Sequence, residues 1–428
     1  MSGLLSSSIQ FVRRCRRKLS SRVSIAAVLA AGVASAGVAH GAGTVKVGIL
    51  HSLTGTMAIS ETSLHDVELM AIHEINAKGG VLGKQIDPVI VNPASNWDLF
   101  AQDANTLIAK DKVKVIFGCW TSVSRKSVLP VVQADHGLLI YPVQYEGEEY
   151  SPNIFYMGAV PNQQLIPSVK YLMSKPGGKR KRFFLLGSDY VFPRTANEIM
   201  EGYLLSHGVP KSRIKVMYVP LGYTDFQTVV SKIKAFAQAG HACVLSTLNG
   251  SSNVPFYTEF ANQGLTAESC PIMAYSIAED ELRSMDTTKL VGHYACWNYF
   301  QSLRSKTNKK FVHDFKMWCM SNHLPGGMAR VTDDPIECAY TGVYLWAAAC
   351  EKAKSFAPMK VAKAMIGLKM MTPGGMVKVA KNHNLYKPVY VGKILADGQF
   401  RIVWKSKGWV KPVAFSPYIK MAMKNAPK

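Results

Sequence analysis

From about residue 44 onward, short apolar runs alternate with longer amphipathic stretches, and the repetition of that alternation restricts the fold more than any other feature. "VKVGIL" (45–50) reads as a buried strand. "SLHDVELMAIHEINAKGG" follows, with Leu64, Val67, Ala71 and Ile75 on one helical face and Gly79-Gly80 as its stop. "IDPVIVN", a helix near Trp97 to Lys110, "VKVIFG" (113–118), a helix from Ser122 and "LLIYPV" (138–143) continue the pattern. It restarts at "KRFFLLG" (181–187) and runs through "IKVMYVPL", "ACVLSTL" (242–248) and "PIMAYSI" (271–277). Strand and helix in strict succession build a parallel sheet with helices on both faces. The 428 residues exceed the roughly 250 to 300 at which one core stops growing, so two α/β lobes are expected. The tail "PVYVGKIL-ADG-QFRIVW" reads as a hairpin, and "KMMTPGGM" as a helix end and turn.

Each apolar run ends in a dense polar cluster: "HSLTGTMAIS", "CWTSVSRK", "PVQYEGEEY", "SDYVFPRTAN", "NGSSN" and "IAEDE". In doubly wound folds the carboxyl ends of strands border the ligand crevice. Both halves of the chain supply such ends, so a small polar ligand held between lobes is the natural reading. There is no Gly-x-Gly-x-x-Gly after the first strand and no Walker-type loop, which leaves nucleotide binding unsupported. The clusters offer hydroxyls that both donate and accept, with Gln144, Glu146 and Glu279 as further acceptors. Such a set suits a neutral amide.

Before residue 44, "RRCRRK" (Arg13 to Lys18) precedes an Ala/Gly-rich apolar run and "ASA" at Ala34 to Ala36, the pattern of an export signal over residues 1–36. A soluble, extracytoplasmic mature chain is expected. The net charge is +22, and removing the six Lys/Arg of the first 36 residues leaves +16. Lys and Arg are scattered and no nucleic-acid module is present, so an anionic membrane face or an acidic exterior is the better match for this charge. Seven cysteines follow Cys15 with no Cys-x-x-Cys, and no His-x-x-x-His occurs, so neither a disulfide framework nor a metal or other cofactor site is indicated.

"GILHSLTGTMAISETSL", "INAKGGVLGK", "FGCWTSVSRKSVLPV", "YPVQYEGEEYSPNIFYMGAVPNQQ", "GSDYVFPRTANEI", "STLNGSSNV", "YSIAEDE", "GHYACWNYFQS" and "TDDPIECAYTGVYLW" together resemble the urea-binding protein of bacterial urea ABC transporters. They are similar, more distantly, to short-chain amide-binding and branched-chain amino-acid-binding proteins. The resemblance covers roughly residues 44 to 405. It implies a type I periplasmic binding protein fold, with two doubly wound parallel-sheet lobes joined by three hinge crossovers near 158–164, 295–301 and 372–377. The lobes implied are 44–161 with 302–371, and 162–301 with 372–428. It implies no enzymatic activity and no cofactor. The implied function is capture of urea or a short-chain amide for an ABC permease, with branched-chain amino acids or an amide sensor as alternatives.

By the same resemblance Ser122 and Tyr141 bond ligand from one lobe and Tyr190 closes from the other. Gln144 and Glu146 are candidates as acceptors for amide NH2 groups. Trp120 is a candidate wall, and Asn249, Ser276 and Glu279 are candidates from the second lobe. Each has a plainer role beside this one. Ser122 suits a helix N-cap, Glu146 an ion pair with Arg125 or Lys126, Ser276 and Glu279 a cap of the next helix, and Asn249 a turn. The departures are "VNPASNW" at the cleft rim and Glu149-Tyr150, where the group carries smaller residues. An amidohydrolase using Ser122 with His51 or His65 is the rival class, and it lacks a Gly-x-Ser-x-Gly elbow.

Overall fold

β1 (Thr44–Leu50) alternates exposed and buried residues and then buries everything from Val47 to Leu50, as a strand does when it runs into the middle of a covered sheet. The computed structural model describes residues 43–419. The export signal expected over 1–36 lies outside the described residues. After β1 come α1 (Ala58–Asn76), β2 (Gln85–Val91), α2 (Trp97–Ala109), β3 (Ile116–Gly118), α3 (Ser122–Ala134), β4 (Leu139–Tyr141) and β5 (Ile154–Tyr156). Their sheet has the order β2-β1-β3-β4-β5 and is parallel throughout. Local chemistry sets its boundaries. Asn96 caps α2 by accepting from Asp98 N at 2.9 Å and Leu99 N at 3.3 Å. Gly80 stands at φ +79°, where a Cβ would lie 1.9 Å from the Lys84 carbonyl oxygen, so only glycine lets the chain turn back after α1.

A second succession follows: α4 (Leu165–Met173), β6 (Arg182–Ser188), α5 (Val191–Ser206), β7 (Ile214–Val219), α6 (Gln227–Ala237), β8 (Ala242–Thr247), α7 (Asn253–Asn262), β9 (Ile272–Ala274), α8 (Glu279–Leu282) and β10 (Tyr294–Trp297). The chain then forms α9 (Lys306–Ser321), α10 (Asp334–Ala353) and α11 (Pro358–Met365), a small sheet of β11 (Lys369–Thr372), β12 (Gly375–Val379) and β13 (Leu385–Tyr386), and the hairpin β14 (Tyr390–Ile394) with β15 (Phe400–Lys405). The second sheet has the order β15-β14-β10-β9-β8-β6-β7, parallel except where the hairpin joins it. This is the α/β architecture of type I periplasmic binding proteins.

The helices of the third section pack on the first sheet. Phe311, Phe315 and Ile336 share a core with Ile116 and Leu139. Trp346 meets Phe117 edge to face at 5.9 Å, a geometry worth roughly 0.5–1.5 kcal/mol beyond the area it buries.

Two expectations for the tail change. "KMMTPGGM" is not a helix end: Lys369 and Met371 are exposed while Thr372 is buried, the two-residue period of a strand, and β11 pairs with β12. Val377, Val379 and Leu385 therefore belong to the same core as β1. The third passage between sheets falls after β13, in the segment leading to Tyr390, rather than near 372–377.

Each sheet reverses its winding once, between β1 and β3 in the first and between β6 and β8 in the second. Beyond the carboxyl ends of those strands lie His51, Cys119 to Ser122, Tyr190 and Asn249, at the topological switch points where α/β folds bind ligands.

Candidate functional site

Around α3, four charged groups form one network, three of them buried and Lys126 at its edge. The Arg125 guanidinium is fully buried and donates from Nε to Glu149 at 2.8 Å, from Nη1 to Ser122 Oγ at 3.0 Å, and from Nη2 to Glu146 at 3.0 Å and Glu149 at 3.4 Å. Four of its five N–H groups are thus engaged within the protein. Lys126 Nζ reaches Glu149 at 2.7 Å. Two positive and two negative charges cancel. Burial by itself would raise the Glu149 carboxyl, but Arg125 and then Lys126 hold it down at about 2. The guanidinium also lies over the rings of Tyr141 and Tyr145, at 4.8 and 4.7 Å from their centroids.

Ser122 does not cap α3. Thr121 does, accepting from Ser124 N at 3.1 Å. Freed from that role, the Ser122 hydroxyl donates to Glu146 and accepts from Arg125, which leaves it a lone pair to offer. The Tyr141 hydroxyl donates to the Trp120 carbonyl. Just before Trp120 the chain passes through Cys119 at φ +69°, a buried non-glycine residue in the left-handed region, which is a strain often found at functional turns. Trp120 Nε1 is buried without a protein partner among the described residues.

Gln144 joins the sheets. Its Nε2 donates to the Tyr275 carbonyl at 2.7 Å and to Ser276 Oγ at 3.1 Å, both beyond β9, while its Oε1 is buried and unpaired. Gly158 makes this position possible, because a Cβ there would lie 2.2 Å from the Gln144 backbone nitrogen. Tyr190 faces the same region. Burial raises its phenol well above 10, and Tyr141 and Glu146 add to the rise while Arg125 opposes it. Trp97 of α2 packs against Tyr190 at 6.5 Å.

Ser122, Tyr141, Gln144, Glu146, Trp120 and Ser276 are linked by hydrogen bonds or through Arg125, whereas Tyr190 packs on Trp97 and Phe192 and reaches the cluster only through the effect of its charges. Asn249 and Glu279 are not linked to it. Asn249 N bonds Ser188 Oγ at 3.1 Å, and its side chain bonds the Thr247 carbonyl at 3.1 Å. Glu279 opens α8, accepts from Gln301 N at 2.8 Å and is pushed up to about 8 by burial, with Glu281 and Asp334 adding to the rise. Neither Ser276 nor Glu279 is the cap of α8, which starts after Ala278. All nine candidates are less than a tenth exposed. Cavities of about 580 and 680 Å³ open elsewhere, and neither is lined by any of the nine.

Residues that sequence reasoning passed over tie α1 to α8 of the second section and, through Arg330, to the third. Ser60 Oγ donates to Glu281 at 2.7 Å, Ser63 Oγ donates to Asp280, and Arg330 reaches Ser63 at 2.8 Å and Asp66 at 2.9 Å. The "VNPASNW" departure pins the loop after β1, with Asn92 accepting from Leu53 N at 2.9 Å and Ser95 Oγ from Met57 N at 3.1 Å. The rival nucleophile–base pair is not assembled. His51 lies against Glu68 at 3.1 Å and Glu61 at 3.5 Å, and His65 against Asp66 at 3.0 Å. The seven cysteines among the described residues are all buried and free.

A family model described as "Periplasmic binding protein domain" matches residues 45–421. Among solved structures, a solute-binding protein of an ABC transporter from Rhodopseudomonas palustris BisB5, in complex with 3,4-dihydroxybenzoic acid, superposes with a TM-score of 0.73 at 21% identity, over 86% of this chain and 99% of that one. A branched-chain amino acid transporter substrate-binding protein from Streptococcus pneumoniae, in complex with isoleucine, gives 0.70 at 18% identity over 86% and 100%. At these identities the likeness is one of fold. A limonene hydroxylase from Geobacillus stearothermophilus is 29% identical over 133 residues, which is 31% of this chain, and the match spans only 23% of that protein's length.

Proposed function

Because this chain belongs to the periplasmic binding protein domain family, we propose that it is an extracytoplasmic solute receptor that captures urea or another short-chain amide between its two sheets and delivers it to an ABC permease. The observation that carries the amide reading is the saturation of Arg125 by Glu146 and Glu149. A carboxylate ligand needs a free cation or converging N–H groups, and the one buried guanidinium at this place is already spent on two internal carboxylates. A benzoate would add a negative charge to a set that sums to zero, and a zwitterionic amino acid would bring a carboxylate and an ammonium that each need a counter-charge. An uncharged ligand adds none.

The uncommitted atoms nearby support the same chemistry. The Trp120 Nε1–H is free to donate, and the Tyr190 phenol, kept protonated by burial, is a second donor at the same place. Gln144 Oε1, the remaining lone pair of Ser122 and those of Glu146 are free to accept. A planar amide presents a carbonyl to the first kind and NH2 groups to the second. For a ligand of four heavy atoms the ceiling is about 1.5 kcal/mol per atom, roughly −6 kcal/mol in all, so affinity in the tens of micromolar requires every polar group to find a partner.

Thermal melts of the purified protein test this reading. Millimolar urea, acetamide or formamide raises the midpoint by mass action, and leucine at the same concentration does not. A shift with leucine alone moves the chain to the amino-acid branch.

A further inference from the structure

The net charge of the chain is concentrated in one section. Residues 43–351 carry 28 Lys/Arg against 27 acids, whereas residues 352–419 carry 13 against one, Asp397. Asp397 sits in the β14–β15 turn, beside Thr287, and Lys387 is buried near Asp334 and Glu337 at 3.9 and 3.8 Å. The small sheet gathers several of the others. Lys369 lies directly opposite Lys378, and Met371 opposite Met376, in the β11–β12 register. Like charges directly opposite in a sheet are destabilising, and nothing in the fold requires this pair. Met371 and Met376 are 58% and 39% exposed. Trp409, 41% exposed, donates from Nε1 to the Met376 carbonyl at 2.6 Å. Beside them a cavity of about 430 Å³ is lined by Lys378, Lys381, Lys411, Asn382 and Tyr386, with no acid among its lining residues. Glu148, which meets the end of this section, already accepts from Ser416 N at 2.6 Å.

We propose that this face, centred on Trp409 and the cavity of Lys378, Lys381 and Lys411, docks on the surface of an anionic phospholipid bilayer, with a phosphate-bearing head group taken up among the three lysines. Protein–protein interfaces are depleted in lysine at their centres, whereas lysines surrounding an exposed tryptophan and long apolar side chains are the composition of a membrane-surface site. The lysines supply long-range attraction and their stems cover apolar surface. Trp409, Met371 and Met376 supply the apolar contact. The docking gives the basic charge a role that ligand capture leaves unexplained, and it does not depend on which solute is bound.

The test is sedimentation of the purified full chain with vesicles of equal parts phosphatidylglycerol and phosphatidylcholine, against vesicles of phosphatidylcholine alone. The expected result is binding to the first only, weakened by added salt. Neutralising two site lysines, Lys378→Gln with Lys411→Gln, lowers it roughly thirtyfold at about 1 kcal/mol per lysine. The same charge change placed far away, Lys215→Gln with Lys232→Gln, leaves it nearly unchanged, and Trp409→Ala weakens it while circular dichroism shows the chain still folded. Equal loss in both double variants, no binding to anionic vesicles, or tighter binding to an acidic protein or nucleic acid than to those vesicles would overturn the proposal.

Discussion

Gln144 Nε2, in the loop after β4 of the first sheet, donates to the carbonyl of Tyr275, 2.7 Å away at the end of β9 in the second. One side chain thereby ties the two halves together while its own carbonyl oxygen stays unpaired. Replacing Gln144 with Ala removes both the tie and the spare acceptor. The expected outcome is a loss of about tenfold or more in amide affinity, with a drop in stability near 1 kcal/mol, read by calorimetry and by urea-free chemical denaturation.

Arg125→Met leaves Glu146 and Glu149 buried opposite no guanidinium. Breaking a buried pair from one side costs roughly 3–5 kcal/mol, so a large fall in the guanidinium chloride midpoint is expected. Arg125→Lys recovers only part of it, because an ammonium cannot serve Ser122, Glu146 and Glu149 from one plane. A midpoint unchanged in Arg125→Met contradicts the network described here.

Tyr190→Phe separates ligand contact from folding. The ring packing on Trp97 and Phe192 survives the substitution, so the thermal midpoint holds while affinity falls about tenfold, or 1.4 kcal/mol. Full retention of affinity takes Tyr190 out of the site.

Ser60 donates to Glu281, whose carboxyl is pushed up to about 7, first by burial and then by the charge of Asp280. A carboxyl raised in the folded state binds its proton more tightly there than in the unfolded chain. Its contribution to stability is complete below about 4.5 and is lost as pH rises through 7. Burial alone would lower His51, but Glu68 and Glu61 together raise it to about 9, and it acts in the same direction between 6.5 and 9. His293, lowered by burial to about 3, acts in the opposite direction, and its contribution is lost as pH falls from 6.5 toward 3. Glu279, pushed up to about 8, acts with Glu281, so denaturation midpoints measured from pH 5 to 8 are expected to decline, and Glu281→Gln to flatten the decline below pH 7. An equally steep decline in the variant removes Glu281 from the effect.

The strand ends could be read before the structure was known because the chain announces them. Apolar residues up to Tyr141 or Ser188 give way abruptly to hydroxyls and amides, and Ser122, Tyr141 and Tyr190 stand at those breaks. The network around Arg125 was less visible, since its partners Glu146 and Glu149 lie more than twenty residues away and only the parallel alignment of β3 with β4 brings them together. Glu279 looked like a cleft residue by position. A four-residue α8 instead directs it to Gln301 N. In "KMMTPGGM" the two-residue period was hidden because methionine occupies both the exposed position 371 and the half-buried position 370, so apolarity did not distinguish inside from outside.

Isothermal titration calorimetry of the wild-type protein at pH 6, with urea, acetamide, leucine and 4-hydroxybenzoate as separate titrants, bears most directly on the claim that the space beside Arg125 receives an uncharged amide. The account expects one-site binding of urea or acetamide with affinity in the tens to hundreds of micromolar and no heat from either carboxylate-bearing compound. Tight binding of leucine or 4-hydroxybenzoate, with silence from both amides, would show that a carboxylate is accommodated beside Arg125, and the amide reading would fall.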